Sequence, residues 1–118
     1  TLDVYAEVLR DQAFVDALAA AARRGVAVRI VMSPDDERQR QTLAELVAAG
    51  AQARLVTDVY IHAKMFLADG TRAFVGSQNT SLDQNRELGV IFDDPGSVER
   101  VARVFDEDFR RGREVEPS

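Results

Sequence analysis

The apolar run at residues 26–32 constrains the fold of this chain more than any other segment. It is rich in β-branched residues and follows Gly25 directly, so it predicts a buried strand and leaves no room for a helix. A helix is predicted before it, with Asp11 as the N-cap, Phe14 and Leu18 on its apolar face, and Gly25 as its end. A helix that leads into a buried strand is typical of an α/β layer.

The neighbouring segments extend this alternation. Residues 2–9 predict a first strand, residues 33–35 a loop with a second helix cap, and Gly50 the end of the second helix. Residues 53–57 predict a short third strand. This β-α-β-α-β order favours parallel strands joined by right-handed crossovers.

The second half of the chain has a different pattern. The alternating runs at residues 63–68 and 71–75 are separated by Asp69 and Gly70, which is a hairpin signal. Residues 87–92 predict another apolar strand. We therefore expect an α/β fold with a mixed, largely parallel β-sheet flanked by helices, in one domain that covers residues 1–118.

A last helix is predicted from about Pro95, and the polar tail from Gly112 is expected to fray. The apolar side of this helix is predicted to carry Val98, Val101, Val104, Phe105 and Phe109.

Composition excludes several kinds of site. The chain has no cysteine, which excludes disulfides, zinc–thiolate sites and thiol nucleophiles. Its net charge of -5 argues against a broad nucleic-acid-binding surface, although a local positive pocket is still possible. No apolar run approaches the length of a membrane span and no signal-peptide pattern is present, while the start at Thr1 without a methionine suggests a fragment of a longer protein. The cellular location is left open.

The single histidine and the single lysine of the chain are two residues apart, at His62 and Lys64. If they lie on a strand, their side chains share a face and are about 7 Å apart. A titratable imidazole beside a fixed positive charge suits phosphoryl chemistry. Without further support, His62 could equally fill a strand end and Lys64 could be a solvated strand lysine.

Fixed spacing links these two residues to a longer pattern, His-x-Lys-(four residues)-Asp followed by Gly-Ser-x-Asn. This pattern resembles the HKD motif of the phospholipase D superfamily, as found in phospholipase D-like and cardiolipin synthase-type domains. The matching residues are His62, Lys64, Asp69, Gly70, Gly76, Ser77 and Asn79. The flanking segments 21–29 and 86–88 are also similar to the family, so the resemblance covers most of the chain.

The resemblance implies covalent catalysis in two displacements. One histidine attacks phosphorus and forms a phosphohistidine, and a second histidine from another copy of the motif protonates the leaving alcohol. Lys64 and Asn79 are then expected to bind the phosphate, and Ser77 to bind it or to place the histidine. The same resemblance makes Glu87 the carboxylate that would accept from an imidazole N–H. No metal or other cofactor is implied.

The other motif residues have structural interpretations. Asp69 and Gly70 are expected to form a turn, and the resemblance gives Asp69 a role in the fold. The composition of residues 76–81 is that of a loop in any protein, so Ser77 and Asn79 could also serve only the turn.

A single motif requires a second HKD half, either from the same parent chain or from a homodimer mate. Whether His62 is the nucleophile or the general acid depends on which half this is. The leading hypothesis is a phosphodiesterase or phosphatidyltransferase that acts on phospholipid headgroups. The alternatives are an endonuclease-like homodimer and a catalytically incomplete assembly or binding module.

Overall fold

The computed structural model describes residues 1–34, 36–80 and 84–118. The elements in chain order are β1 (Leu2–Tyr5), α1 (Gln12–Arg23), β2 (Val28–Met32), α2 (Glu37–Ala48), β3 (Gln52–Leu55), β4 (Met65–Ala68), β5 (Arg72–Gly76), β6 (Gly89–Phe92), α3 (Pro95–Arg111) and β7 (Arg113–Glu114).

The ends of the first two helices follow local sequence signals. The Asp11 side chain accepts a hydrogen bond from the Ala13 amide, which confirms the predicted cap of α1. Asp36 caps α2, whereas Asp35, part of the predicted loop, lies outside the described residues. Gly25 and Gly50 follow α1 and α2 with φ of +99° and +115°, a backbone conformation that favours glycine.

The strands form one mixed sheet in the order β6-β5-β4-β1-β2-β3-β7. The pairs β1–β2 and β2–β3 are parallel, as the crossover pattern predicts. The other pairs among the described strands, β1–β4, β4–β5, β5–β6 and β3–β7, are antiparallel. The mixed α/β class is therefore confirmed, but the expectation that the sheet is largely parallel is corrected, because only the first three strands are joined by helical crossovers.

The hairpin predicted at Asp69 and Gly70 is present. These residues have φ of +54° and +64°, and the Thr71 amide donates to the Ala68 carbonyl at 3.0 Å, which closes a tight turn between β4 and β5. However, β4 begins only at Met65, so His62 and Lys64 lie in the segment that leads into the strand. The expected strand alternation at these two residues is therefore wrong.

Helices cover both faces of the sheet. On one face α1 and α2 pack over a core that includes Val4, Ile30, Met32, Leu43 and Leu46. On the other face α3 packs over a core that includes Tyr5, Val31, Met65, Leu67 and Phe105. Both cores are apolar on sheet and helix, and their burial drives this layered arrangement.

Helix α3 buries most of its predicted apolar side, with one exception. Val98, Phe105 and Phe109 are buried and Val101 packs against them, but Val104 is 52% exposed. Val104 lines a surface groove between α3 and the sheet, so its expected place in the core is corrected. No helix among the described residues has the length and apolar character needed to cross a bilayer.

A buried polar contact holds α3 against the first strand. The Tyr5 hydroxyl donates to the Asp108 carboxylate, which also pairs with Arg111 at 2.7 Å. Burial and the hydrogen bond to Asp108 raise the pKa of Tyr5, so its proton stays in place. Arg111 also reaches Asp58 at 3.3 Å, which ties the helix to the segment before His62.

The tail beyond α3 is ordered, contrary to the expectation that it frays from Gly112. Arg113 and Glu114 pair antiparallel with β3, and the Val115 amide donates to the Ala53 carbonyl at 3.1 Å. Val115 also packs against the core on the α1–α2 face. The polar tail is ordered because its backbone hydrogen-bonds to β3, which is distant in sequence. The local sequence of the tail does not predict this pairing.

Candidate active site

Strand register brings three segments together at one end of the sheet. Tyr5, the last residue of β1, pairs with Met65 at the start of β4, and Met65 also pairs with Val75 near the end of β5. The segment that leaves β1, the one that enters β4 and the one that leaves β5 therefore meet. The ends of strands at which connecting segments diverge are common places for ligand sites in α/β sheets.

An open pocket of about 460 Å³ lies where these segments meet. It is lined by Glu7, His62, Ala63, Lys64, Val75, Gly76, Ser77 and Asn79. Of the polar side chains expected at the site, the structure thus brings together those of His62, Lys64, Ser77 and Asn79. The pocket also contains Glu7, which the sequence did not single out.

Glu7 lies at the centre of the polar contacts in the pocket. Its Oε1 is 3.2 Å from Lys64 Nζ and 3.6 Å from His62 Nε2, and its Oε2 accepts a hydrogen bond from the Tyr60 hydroxyl at 2.9 Å. The imidazole and the ammonium therefore meet at one carboxylate oxygen. No local signal predicts this role, because residues 2–9 have the alternation of an ordinary strand.

Lys64 and His62 differ strongly in exposure. The Lys64 side chain is only 10% exposed, whereas the His62 imidazole is 73% exposed. Lys64 Nζ also donates to the His62 carbonyl at 2.8 Å, so it is fixed by both neighbours, while the Tyr60 and His62 rings stack at 6.4 Å between centroids. The site therefore combines a buried, fixed cation with an imidazole at the surface.

The Glu7 carboxylate is held in its charged form. Burial alone would raise its pKa, but hydrogen bonds from Tyr60 and Lys64, together with the charges of Lys64 and His62, outweigh this effect and hold the pKa of Glu7 below its ordinary value of 4.5. Glu7 therefore faces Lys64 as a carboxylate, and the two side chains form an ion pair in the lining of the pocket.

Ser77 and Glu87 contact each other just after β5. Ser77 Oγ donates to Glu87 Oε2 at 3.0 Å and accepts from the Leu88 amide at 3.1 Å. The predicted hydrogen bond between Glu87 and the imidazole is not among the contacts of the described residues, and it stays a prediction. The carboxylate beside His62 is Glu7, which arrives from the first strand.

The side-chain oxygen of Asn79 is unusual because it is buried without a hydrogen-bond partner among the described residues. Buried acceptors are nearly always paired. A half-turn of the side-chain amide would place the NH₂ donors at the same position. Asn79 also lines the pocket, so its side-chain amide is the hydrogen-bonding group that it brings to the site.

Packing explains why residue 76, directly before Ser77, is a glycine. A Cβ added to Gly76 would lie 2.7 Å from the Phe74 ring, and one added to Gly89, its partner in β6, would lie 2.3 Å from it. The Phe74 ring thus covers both glycines. Asp69 and Gly70 are at the far end of β4, in the hairpin turn and outside the pocket lining.

The polar groups of the pocket suit a negatively charged ester. Lys64 supplies fixed positive charge, Asn79 can supply hydrogen-bond donors, and the exposed His62 imidazole can act as a nucleophile or as a proton donor or acceptor. These groups fit a phosphate ester better than a neutral substrate.

Comparison with known proteins identifies the family to which this chain belongs. The model of the family described as "Cardiolipin synthase, PLD-like domain" matches residues 1–109. The chain therefore belongs to the phospholipase D superfamily, within this cardiolipin synthase-like family of domains.

Curated relatives are longer than this chain. The probable cardiolipin synthase YwiE of Bacillus subtilis (strain 168) is 28% identical over 110 residues, which cover 86% of this chain and 22% of the relative. Cardiolipin synthase A of Erwinia tasmaniensis is 32% identical over 109 residues, covering 85% and 22%. Phospholipase D Y of Dictyostelium discoideum is 37% identical over 89 residues, covering 64% and 20%. The chain thus spans only about a fifth of the relatives that it matches.

Solved structures share the fold. NUC of Salmonella typhimurium, a phospholipase D family member, superposes with a TM-score of 0.82 at 23% identity, covering 98% of this chain and 81% of that protein. NucT of Helicobacter pylori superposes with a TM-score of 0.81 at 14% identity, covering 96% and 80%. At these identities the likeness concerns the fold alone.

Proposed function

We propose that this chain is one catalytic half of an enzyme that cleaves a phosphodiester through a phosphohistidine and transfers the phosphatidyl group to water or an alcohol. The observation that carries the proposal is the meeting of His62 and Lys64 in one open pocket that Ser77 and Asn79 also line. Both halves of the motif pattern thus converge on a single cavity. Asp69, Gly70 and Gly76 serve the fold around it.

In the proposed first step, an imidazole nitrogen of His62 bonds to phosphorus while the ester P–O bond breaks. The leaving alcohol takes a proton from the histidine of the second motif. That histidine then removes a proton from water or an acceptor alcohol, whose oxygen attacks phosphorus and releases His62. Lys64 and Asn79 stabilise the charge that builds on the phosphate oxygens in both steps.

The scheme requires a second motif, because this chain has one histidine. The partner is a second HKD half, from the same parent protein or from a second copy of the chain. The exposed His62 supports this proposal, since an imidazole at the surface can be met by groups of another segment. If the partner histidine bonds to phosphorus, His62 takes the role of general acid.

A phospholipid is the proposed substrate. The family match and the named relatives support it, and so does the surface beside the pocket. A groove of about 300 Å³ shares Ala63 and Val75 with the pocket and is otherwise lined by Tyr5, Met65, Arg100, Val101 and Val104. Its almost entirely apolar wall suits the acyl part of a lipid whose phosphate lies at Lys64.

A nuclease-like homodimer is the second candidate, and the fold shared with NUC keeps it open. The net charge of -5 weighs against it. Binding to single-stranded DNA should weaken steeply as salt increases, whereas a lipid substrate should respond to detergents and interfaces.

The test compares wild type, His62→Ala and Lys64→Ala in the full parent protein, with phospholipid vesicles and single-stranded DNA assayed side by side. The proposal expects lipid turnover that is abolished by His62→Ala and strongly reduced by Lys64→Ala. Glu45→Gln, an exposed change on α2, should match wild type. Wild-type rates in His62→Ala would refute the assignment, DNA turnover alone would favour the nuclease, and no turnover would favour a binding or assembly role.

Acid quenching during turnover identifies the role of His62. A phosphoryl-imidazole adduct recovered on this chain makes His62 the nucleophile. An adduct recovered only on the partner motif makes His62 the general acid.

A further inference from the structure

We propose that Glu7 is a positioning residue that orients the Lys64 ammonium toward a bound phosphate, at the expense of ground-state affinity for that phosphate. The inference rests on the proposed function and adds a residue outside the motif pattern. It starts from the single carboxylate oxygen that lies 3.2 Å from Lys64 Nζ and 3.6 Å from His62 Nε2.

The hydrogen-bond donors of Lys64 show what Glu7 does. An ammonium group has three N–H donors and no acceptor. One is directed to the His62 carbonyl at 2.8 Å and another to Glu7 Oε1 at 3.2 Å. With two donors fixed, tetrahedral geometry sets the direction of the third. Among the described residues no acceptor takes this third donor, and because Lys64 lines the pocket, a ligand there can accept from it.

Glu7 is itself held in place from both sides of its backbone. Before it, the Ala6 amide donates to the Val31 carbonyl at the end of β2. After it, Thr80 Oγ1 donates to the Val8 carbonyl, and the Arg10 amide donates to the Thr80 carbonyl at 3.0 Å. The segment that carries Glu7 is therefore joined to the turn that carries Asn79. A carboxylate on such an anchored segment can fix the group that it binds.

The second oxygen of Glu7 is also anchored. Tyr60 donates to Oε2 at 2.9 Å. The segment around Tyr60 is fixed in turn by Ser33, whose Oγ donates to the Val59 carbonyl at 3.3 Å and accepts from the Ile61 amide at 2.7 Å. The carboxylate thus has contacts on both oxygens, which restrict its rotation.

Charge makes this role distinguishable from a purely structural one. The ionised Glu7 offsets the positive charge of Lys64 and repels an approaching phosphate. Removal of its charge should therefore strengthen phosphate binding while the catalytic step loses the fixed ammonium. A residue that merely stabilised the fold would not move these two quantities in opposite directions.

Glu7→Gln is the decisive variant, because it keeps the shape of the side chain and removes the charge. Glu45→Gln makes the same chemical change at an exposed position of α2 and is the matched control. Inorganic phosphate is titrated into the 118-residue chain by calorimetry, a measurement that needs no turnover. Steady-state kinetics with bis(p-nitrophenyl) phosphate are measured separately in the active assembly.

We expect Glu7→Gln to bind phosphate roughly five- to tenfold more tightly than wild type. Its kcat should fall on the order of tenfold to a hundredfold, because a small misplacement of a catalytic group is costly, and its KM should fall as well. The control should show neither change. Unchanged or weaker phosphate binding in folded Glu7→Gln would overturn the proposal, as would an unchanged kcat.

The two proposals fail in different ways. Full activity in His62→Ala would refute the proposed function, while the phosphate titration would still measure the effect of Glu7 on the Lys64 pocket. Loss of activity in His62→Ala with wild-type behaviour of Glu7→Gln would refute only the positioning role.

Discussion

The side-chain amide of Gln39 makes both backbone hydrogen bonds of Leu9. Its Oε1 accepts from the Leu9 amide at 2.9 Å and its Nε2 donates to the Leu9 carbonyl at 3.1 Å, with both residues buried. A side chain of α2 therefore satisfies the backbone of Leu9, which lies beyond the end of β1 at Tyr5. This contact fixes the segment that carries Glu7 into the pocket.

Gln39→Ala should consequently destabilise the fold. It leaves a buried donor and a buried acceptor on Leu9 unpaired, which costs about 2 kcal/mol or more. Urea unfolding measures the change, and Gln41→Ala, at an exposed position of the same helix, should stay within about 0.5 kcal/mol of wild type. Equal stability of the two variants would show that Gln39 does not anchor this segment.

The pH dependence of stability should report the Glu7 ion pair. Since Tyr60, Lys64 and His62 lower the pKa of Glu7 in the folded chain, its ionisation stabilises the fold above the ordinary value of 4.5. This contribution is lost as the pH falls through the lower folded value. The difference in unfolding free energy between wild type and Glu7→Gln should therefore shrink between about pH 6 and about pH 3.

Urea unfolding at both pH values checks this expectation, and Glu45→Gln is again the control. A difference that is constant or grows toward low pH would contradict a stabilising charge on Glu7.

The apolar groove should affect lipid substrates selectively. Val104→Asp places a charge on the groove wall, so turnover of a short-chain phospholipid should fall by about tenfold or more. Turnover of bis(p-nitrophenyl) phosphate, which has no acyl chain, should change little. Ile91→Asp adds the same charge to an exposed strand residue outside the groove lining and is the matched control. Equal losses on both substrates would contradict a role of the groove in binding the acyl chain.

Local signals were sufficient to predict much of the fold. The Asp11 cap, the glycines after α1 and α2, and the turn at Asp69 and Gly70 each depend on a few neighbouring residues, so the sequence identifies them directly. Arg113 and Glu114 show the opposite case, because they become a strand only through β3, more than fifty residues away in the chain. Val104 has the helical spacing of a buried residue, but this spacing does not show whether the sheet extends far enough to cover its side chain.

The residues of the site also divide into those that the sequence predicts and those that only the structure identifies. The resemblance to the HKD motif implies that His62, Lys64, Ser77 and Asn79 share one phosphate site, and the structure brings these residues together in one pocket. The sequence did not single out Glu7, because which carboxylate reaches the imidazole depends on strand register. Only the pairing of β1 with β4 places Glu7 beside His62.

The most direct test of the site uses its single histidine and single lysine, each of which gives one assignable side-chain signal in an NMR spectrum. Inorganic phosphate is titrated into the 118-residue chain while the His62 imidazole and the Lys64 ammonium are followed together. One shared pocket predicts that both signals shift with the same dissociation constant, and that Lys64→Ala abolishes the shift of His62. Signals that stay unchanged, or that titrate with different constants, would contradict a common phosphate site for these two residues.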